Sequence, residues 1–352
     1  MLQFGHSANH RDICENLSAN FIINYISFDL GFKTYEHNKT RLHYVKMNNK
    51  SKLVSFISFF LRALKLSFKL KPKYIVVVIS TSTINSLFFF LLTPFLFHKS
   101  LKYLDVRTAS VNQSSYKRKL ENYLVKLLSK LYEKVILFND DIREIIGIEI
   151  KKTVYIPLGG SPISRKTLNL KGLQLIYIGA YINRNIDIVV KAYYSFLKDF
   201  SPQNSRLTLI GYGDEDLFKL KQLVNSLELT EYVFVYDRMT HYELKSYVEN
   251  ANVGISFVPI NSYYNNQTPT KILEYGLSGL FTIATNTIAS QRIINDTNGV
   301  LCEDNVVSLK NAMFDVSKKI SYFNHKEIKK TFHSYDIKNI VNEKILNKIF
   351  IK

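Results

Sequence analysis

The chain has 352 residues, 46% of them hydrophobic, and carries 47 Lys and Arg against 29 Asp and Glu, a formal charge of +18. That length exceeds one ordinary core and divides into two domains of about 150 residues each. Cys14 and Cys302 stand alone, with no C-x-x-C pair or Cys/His cluster, which excludes a disulfide framework and a structural zinc site and points to a reducing cytoplasm.

The start, MLQFGHSANHRD, lacks the basic residues and apolar run of a secretion signal, so no export is expected. The charge is uneven. Residues 1–160 hold 24 Lys and Arg against 11 Asp and Glu, a surplus of 13, whereas residues 161–352 hold 23 against 18, a surplus of 5. A basic first half calls for an anionic partner. There is no zinc-finger spacing, no RNP-like aromatic motif and no basic region followed by heptads, so a membrane surface fits better than nucleic acid.

Strand and helix signals alternate along the chain, the pattern of doubly wound α/β sheets. Candidate strands of the first half are Leu2 to Gly5, Phe21 to Phe28, Arg41 to Met47, Tyr74 to Ser80, Leu101 to Val106 and Lys134 to Phe138, with helices between them, notably Tyr116 to Tyr132. Phe56 to Lys73, FISFFLRALKLSFKLKPK, interleaves apolar residues with Arg62, Lys65, Lys69, Lys71 and Lys73 at helical spacing. It reads either as a basic helix lying in a lipid interface, each cation near an anionic leaflet contributing about 1 kcal/mol, or as an ordinary surface helix with an apolar inner stripe and a basic outer face. Tyr74 to Phe97 is apolar enough to raise a transmembrane question, but Ser80, Thr81, Ser82, Thr83 and Asn85 interrupt it and Pro94 breaks it. The expectation is a core strand, YIVVVIS, a turn and a buried or interface-dipping helix.

A last strand, Lys152 to Ile156, leads into PLGGSPISRK, Pro157 to Lys166, which reads as a linker between domains. The second half then restarts with strand Leu173 to Ile178, ending in Gly179, and a helix from about Ile186 to Asp199. Strand Leu207 to Ile210 runs into Gly211-Tyr212-Gly213-Asp214 and a helix, followed by strand Tyr232 to Tyr236, helix His241 to Asn250 and strand Val253 to Val258. Next comes PINSYYNNQTPTKILEYGLSGLFTIATN, Pro259 to Asn286, which places Glu274 at the start of a helix that ends at Gly279, before strand Leu280 to Thr285. A strand, a polar loop and a helix start carrying a carboxylate form the layout of a nucleotide site, where phosphates meet a helix N-terminus and the carboxylate holds two ribose hydroxyls. Ile328 to Phe350 reads as a terminal helix.

The P-x-K-x-x-E-Y pattern of Pro269, Lys271, Glu274 and Tyr275 resembles the donor-site signature of GT-B glycosyltransferases, specifically the large retaining family 4. VYIPLGG, LIYIGAYINRNIDIVVKAY, LTLIGYGDEDLFKLKQLV and YVFVYDRMTHYELKSYVENANVGISFVP resemble its further segments in order, so the likeness is specific from about Val154 to Asp304. The resemblance implies two Rossmann-like domains flanking a cleft: an acceptor domain over 1–158, a donor domain over 165–325, and a C-terminal helix, 326–352, crossing back to the first domain. It implies transfer of a sugar from a nucleotide diphosphate sugar to a glycan or polyprenyl-linked acceptor, in surface polysaccharide assembly on the cytoplasmic face of the membrane, with the enzyme peripheral there.

Breaking the bond between the anomeric carbon and a diphosphate requires stabilising charge on the leaving group. Arg184, in the loop after Gly179, and Lys271 are the cations the resemblance places there; Ala180 and Asn185 stand where the family commonly has Arg and Lys. Thr270 offers its N–H and hydroxyl or serves as a helix N-cap, Glu274 holds the ribose, and Gly211 and Gly213 supply a tight turn with close approach to the nucleotide. Asn266 occupies the position of a second acidic residue and can hydrogen-bond the sugar. On the acceptor side, His6, His10, Arg11 and Asp12 follow the first strand, and Asp105 and Arg107 end another; Asp105 can orient an acceptor hydroxyl or act as base, or it forms a structural ion pair with Arg107. With no D-x-D pair before the donor motif, neither a metal nor another cofactor is expected. Two other readings stay open: a nucleotide-sugar epimerase of the same fold, and a non-enzymatic basic protein binding anionic membrane or nucleic acid.

Overall fold

The computed structural model describes residues 8–29, 39–46, 51–79, 94–97, 99–110, 114–166, 168, 170–261, 264–265 and 267–350. Contacts group them into two units: Met1–Leu158 with Ile340–Lys352, and Gly159–Asn339. The first boundary falls at the paired glycines of the expected linker. At the second, residues 326–339, expected with the returning helix, belong to the second unit.

In the first unit α1 (Ala8–Leu17) precedes β1 (Ile23–Asp29) and β2 (Thr40–Lys46), which pair in parallel. Helix α2 (Lys52–Leu70) packs on that pair. A parallel sheet in the order β3 (Tyr74–Ile79), β4 (Leu101–Val106), β5 (Lys134–Leu137), β6 (Thr153–Tyr155) follows, with α3 (Ser115–Ser129) and α4 (Asp140–Ile146) as connections. Leu104 and Val106 of β4 and Val135 and Leu137 of β5 bury against Val125 and Leu128 of α3 and Ile146 of α4. The expected core strand at β3 is half-covered: Val77 joins that core, while Val76 and Val78, which the pleat turns to the other face, remain exposed. The expected strand Leu2 to Gly5 and the turn and helix start after Ile79 lie outside the described residues.

The second unit is one six-stranded parallel sheet in the order β12-β11-β10-β7-β8-β9. Its strands are β7 (Gln174–Ala180), β8 (Arg206–Tyr212), β9 (Val233–Tyr236), β10 (Val253–Ser256), β11 (Phe281–Thr285) and β12 (Gly299–Cys302). Helices α5 (Ile186–Phe200), α6 (Asp214–Ser226), α7 (His241–Glu249), α8 (Thr270–Ser278), α9 (Ile288–Gln291) and α10 (Val306–Lys319) connect them and continue past the last strand. The central strands bury both faces, as apolar runs such as Leu175-Ile176-Tyr177-Ile178 require.

The terminal helix expected over Ile328 to Phe350 is broken. Helix α11 (His325–Thr331) stops at Phe332, whose ring is fully buried on α8 at Gly276. After a single turn the chain extends at Asp336 and bridges Gly160, with Gly160 N–H donating to Tyr335 O and Ile337 N–H to Gly160 O, each at 2.9 Å. Short α12 (Ile337–Ile340) and a wider helical segment, Val341–Phe350, follow. That last segment sits in the first unit, where the hydroxyls of Tyr74 and Tyr103 donate to Phe350 O at 2.9 Å and Ile349 O at 3.0 Å.

A Cβ at Gly276 would lie 2.1 Å from the Phe332 ring. Gly276→Ala is therefore expected to destabilise the second unit by about 1–3 kcal/mol, measured as a lower urea midpoint at unchanged slope.

Candidate active site

The order of the second sheet reverses between β7 and β10, which pair in parallel from Leu175 opposite Val253 to Tyr177 opposite Ile255. The chains leaving their carboxyl ends turn to opposite sides, which opens a crevice above the sheet at that point. Two loops lead from the strands there: residues 181–185 after β7 and, among the described residues, 257–261, 264–265 and 267–269 after β10.

The two loops meet. The Arg184 guanidinium lies over the Tyr264 ring, 4.3 Å from its centroid, and the Tyr264 hydroxyl lies 3.5 Å from Asn183 O. Asn183 and Asn185 adopt left-handed backbone, with φ of 56° and 53°, a conformation asparagine tolerates better than most residues. It turns Arg184 out of the strand direction before α5 begins. The β10 loop is tied down separately: Asn261 accepts from Tyr264 N–H at 3.0 Å, Asp304 from Ile260 N–H at 2.8 Å, and Asn265 from Ile288 N–H at 3.0 Å. Tyr264, Asn261, Asn265 and Asp304 were not singled out from the sequence; the tyrosine's one signal was the pair Tyr263-Tyr264 in a largely polar loop.

Helix α8 is anchored to the reversal by Tyr275. β10 stops pairing with β7 at Ile255, and the next inward N–H of β7, that of Ile178, donates instead to the Tyr275 hydroxyl at 2.8 Å. The ring is fully buried over β10, where a Cβ on Gly254 would lie 2.4 Å from it. Burial pushes this phenol well above its ordinary pKa, so it remains a neutral hydroxyl. Glu274, the preceding residue, is fixed by the same anchor and forms an ion pair with Lys271, three residues away on one helix face. Both side chains are largely covered yet reach solvent. Glu274 lies one turn into α8 rather than in its first turn. The N-cap is Pro269, not Thr270, which is the first helical residue and exposed; no side chain caps this end.

Several helix starts elsewhere in the unit are closed by side chains. Thr240 makes a reciprocal capping box with Glu243 at α7, and Thr287, Asn305 and Asn324 cap α9, α10 and α11. The three helices lacking a side-chain cap are α5, α6 and α8, which follow β7, β8 and β10. Of these, α5 has Asp187 in its first turn and α6 has Asp214, Glu215 and Asp216, whose charge already complements the helix dipole. Helix α8 has neither cap nor acid, so its N–H groups are the ones open to an anion.

Gly211 stands beside Gly179 in register, and a Cβ on it would lie 2.0 Å from Gly179 O. A Cβ on Gly213, where φ is 129°, would lie 2.7 Å from Ile182. A side chain at either glycine would meet the chain itself, at the strand ends and the Arg184 loop. Asn266 and His6 lie outside the described residues. His10, expected in a loop, belongs to α1. Asp105 and Arg107 are buried in the first unit as an ion pair, with Nη2 donating to Oδ2 at 2.6 Å and the guanidinium 4.7 Å above Phe138. Among the described residues no group of three His, Cys, Asp or Glu is placed to hold a metal ion, and no helix is long and apolar enough to cross a membrane.

Tyr275→Phe keeps the ring and removes the acceptor for Ile178 N–H, so a loss of about 1–3 kcal/mol in unfolding free energy is expected. Burial holds the Cys14 and Cys302 thiols up at about 12, so at pH 8 both stay protonated. Disulfide-exchange reagents are expected to label them slowly in the native protein and rapidly in urea.

The model of the family described as glycosyl transferases group 1 matches residues 172–318, which spans β7 to α10. None of the curated proteins compared with the chain matches it. Among solved structures, sucrose-phosphate synthase from Thermosynechococcus elongatus is similar over 96% of this chain and 91% of its own, at 14% identity and a TM-score of 0.74. HepE from Anabaena, in complex with UDP and glucose, covers 97% and 95% at 12% identity and a TM-score of 0.70. The lipopolysaccharide outer core galactosyltransferase WaaB covers 88% and 85% at 13% identity and a TM-score of 0.55.

Proposed function

We propose that this chain, a glycosyltransferase of GT-B fold carrying a group 1 domain, moves a sugar from a nucleoside diphosphate to a glycan or lipid-linked acceptor. The observation that carries the reading is the contact of Arg184 with Tyr264 across the β7 and β10 loops, the second of which leads into the one helix start that, among the described residues of the second unit, has neither a side-chain cap nor a first-turn acid. In this reading the N–H groups at the start of α8, with Lys271 and Arg184, take the diphosphate, and Glu274 takes the ribose hydroxyls. Asn266 hydrogen-bonds the transferred sugar.

The ion pair between Lys271 and Glu274 fits a site that exchanges partners on binding. Lys271 trades a carboxylate for a phosphate, and Glu274 trades an ammonium for two hydroxyl donors, so neither charge is left without a partner. In the transfer, the bond from the anomeric carbon to the diphosphate oxygen breaks, the acceptor oxygen bonds to that carbon, and the acceptor proton passes to the departing phosphate. The charge gathering on the leaving diphosphate is met by two cations and the helix N–H groups, which removes the need for a metal. We read the transfer as retaining, and the setting as surface polysaccharide assembly at the inner membrane face. HepE, seen with UDP and glucose, and WaaB, a lipopolysaccharide galactosyltransferase, support a uridine nucleotide and a surface-glycan acceptor.

Thermal unfolding across a panel of nucleoside diphosphates and their sugars tests this. One nucleotide is expected to stabilise the protein, by about 2.7 kcal/mol at 100 times its dissociation constant. Glu274→Ala is expected to fold, with unfolding free energy changed by less than about 1 kcal/mol, and to lose that stabilisation. A shift that survives Glu274→Ala, or no shift with any nucleotide, refutes the assignment.

A further inference from the structure

Helix α2 carries two apolar faces. At 100° per residue, Ser55, Phe59, Ala63 and Leu66 fall on the side packed toward β1 and β2 and are buried or half-buried. Val54, Ile57, Leu61 and Phe68 fall on the opposite side, where Leu61 is 58% exposed and Phe68 59%. An ordinary surface helix turns charge outward at those positions. Here the outward apolar row is flanked by exposed Arg62, Lys65 and Lys69, and Lys71 and Lys73 follow at the helix end. The row continues beyond the helix: Phe68 packs on Phe97, with ring centroids 5.5 Å apart, and Phe95 beside it is 70% exposed.

The charge along this stretch of sequence is of one sign. Between Glu36 and Asp105 the chain has no acidic residue and twelve Lys and Arg. A protein partner recognised by such a surface would need an acidic rim around an apolar groove; an anionic lipid surface offers both parts at once, with headgroups meeting the ammonium groups and acyl chains meeting the row. Nucleic acid would use the cations and leave the apolar row in water.

We propose that the outward row of α2, Val54, Ile57, Leu61 and Phe68 with Phe95, is the surface by which the first unit lies on an anionic bilayer, Lys65 and Lys69 gripping the headgroups. This rests on the membrane-bound setting proposed above and names the surface responsible for it. Helix α3 supplies a natural comparison, because its exposed Tyr116, Leu120, Tyr123 and Leu127 form a similar outward row.

The experiment is sedimentation of the full chain with vesicles of phosphatidylcholine alone and of phosphatidylcholine with phosphatidylglycerol, at low and raised salt. The unaltered protein is expected to bind the anionic vesicles and to be released by salt. Lys65→Gln/Lys69→Gln is expected to weaken partitioning about twenty-five-fold, about five-fold per cation. Leu61→Gln/Phe68→Gln is expected to weaken it about ten-fold or more at either salt. All four positions are exposed, so the nucleotide-dependent thermal shift of these variants is expected to match that of the unaltered chain, which separates this test from the donor-site reading. Vesicle binding unchanged in both α2 variants, or lost only in Tyr116→Ser/Tyr123→Ser, overturns the proposal while leaving membrane association standing. No binding to any vesicle overturns both. A mass by light scattering that falls from dimer to monomer in Leu61→Gln/Phe68→Gln assigns the row to a second copy of the chain and also overturns it.

Discussion

The pairing of β7 with β10 is the constraint on which the second unit depends. Those two strands are separated in sequence by two further strands and three helices, yet they lie side by side in the sheet. Because each runs in the same direction and each connection leaves toward its own edge, the backbone cannot cover the point where they part. What covers it is side chain: the Tyr275 ring over Gly254 from below, its hydroxyl completing β7 at Ile178, and Arg184 over Tyr264 from above. The geometry of the candidate site is thus a by-product of strand order, and Glu274 and Lys271 are held beside Tyr275, the residue that finishes an interrupted hydrogen-bond ladder.

The helix starts divide along the same line. Away from the reversal, the unit's helices from α7 onward other than α8 begin with a Ser, Thr, Asn or similar oxygen that closes the first N–H groups. Each such cap stabilises its helix by about 1 kcal/mol. At α5, α6 and α8 that local stabilisation is absent, and at α5 and α6 acidic first-turn residues offset it. At α8 nothing offsets it, and burial of Ile272, Leu273 and Tyr275 holds the helix instead. A helix secured by its packed face can leave its end open.

Much of this was legible in the residues. The runs of Val, Ile and Leu gave most strands of the second unit to within a few positions, since buried parallel strands need them, and Pro269, Lys271, Glu274 and Tyr275 marked the helix that became α8, although Glu274 sits a turn beyond its start. Three features were hidden for physical reasons. Thr270 has the composition of an N-cap, but Pro269 fixes φ and takes that place. The break at Phe332 leaves no proline or glycine behind, because a long-range contact with Gly276 and the Gly160 bridge impose it. The second apolar face of α2 was half hidden, since its interleaved cations fitted both a lipid-interface helix and an ordinary basic outer face, and the structure placed Leu61 and Phe68 on the exposed side. Helix α10 carries a readable signal, a capping Asn305 ahead of a periodic run.

The returning segment Val341–Phe350 has a consequence for how the molecule is made. The hydroxyls of Tyr74 and Tyr103, far toward the N-terminus, are satisfied by carbonyls only a few residues from Lys352. A ribosome delivers the N-terminal domain of most two-domain chains first, and it folds while the rest is still emerging. Here that order is inverted: the second unit, continuous from Gly159 to Asn339, has all its strands before the first unit receives its last helix. The first unit therefore waits through synthesis with Phe21, Tyr74 and Tyr103 short of the Phe350 side chain that stacks among them. During that interval its aromatic surface is available to chaperones, and the first unit is the vulnerable part of the nascent chain.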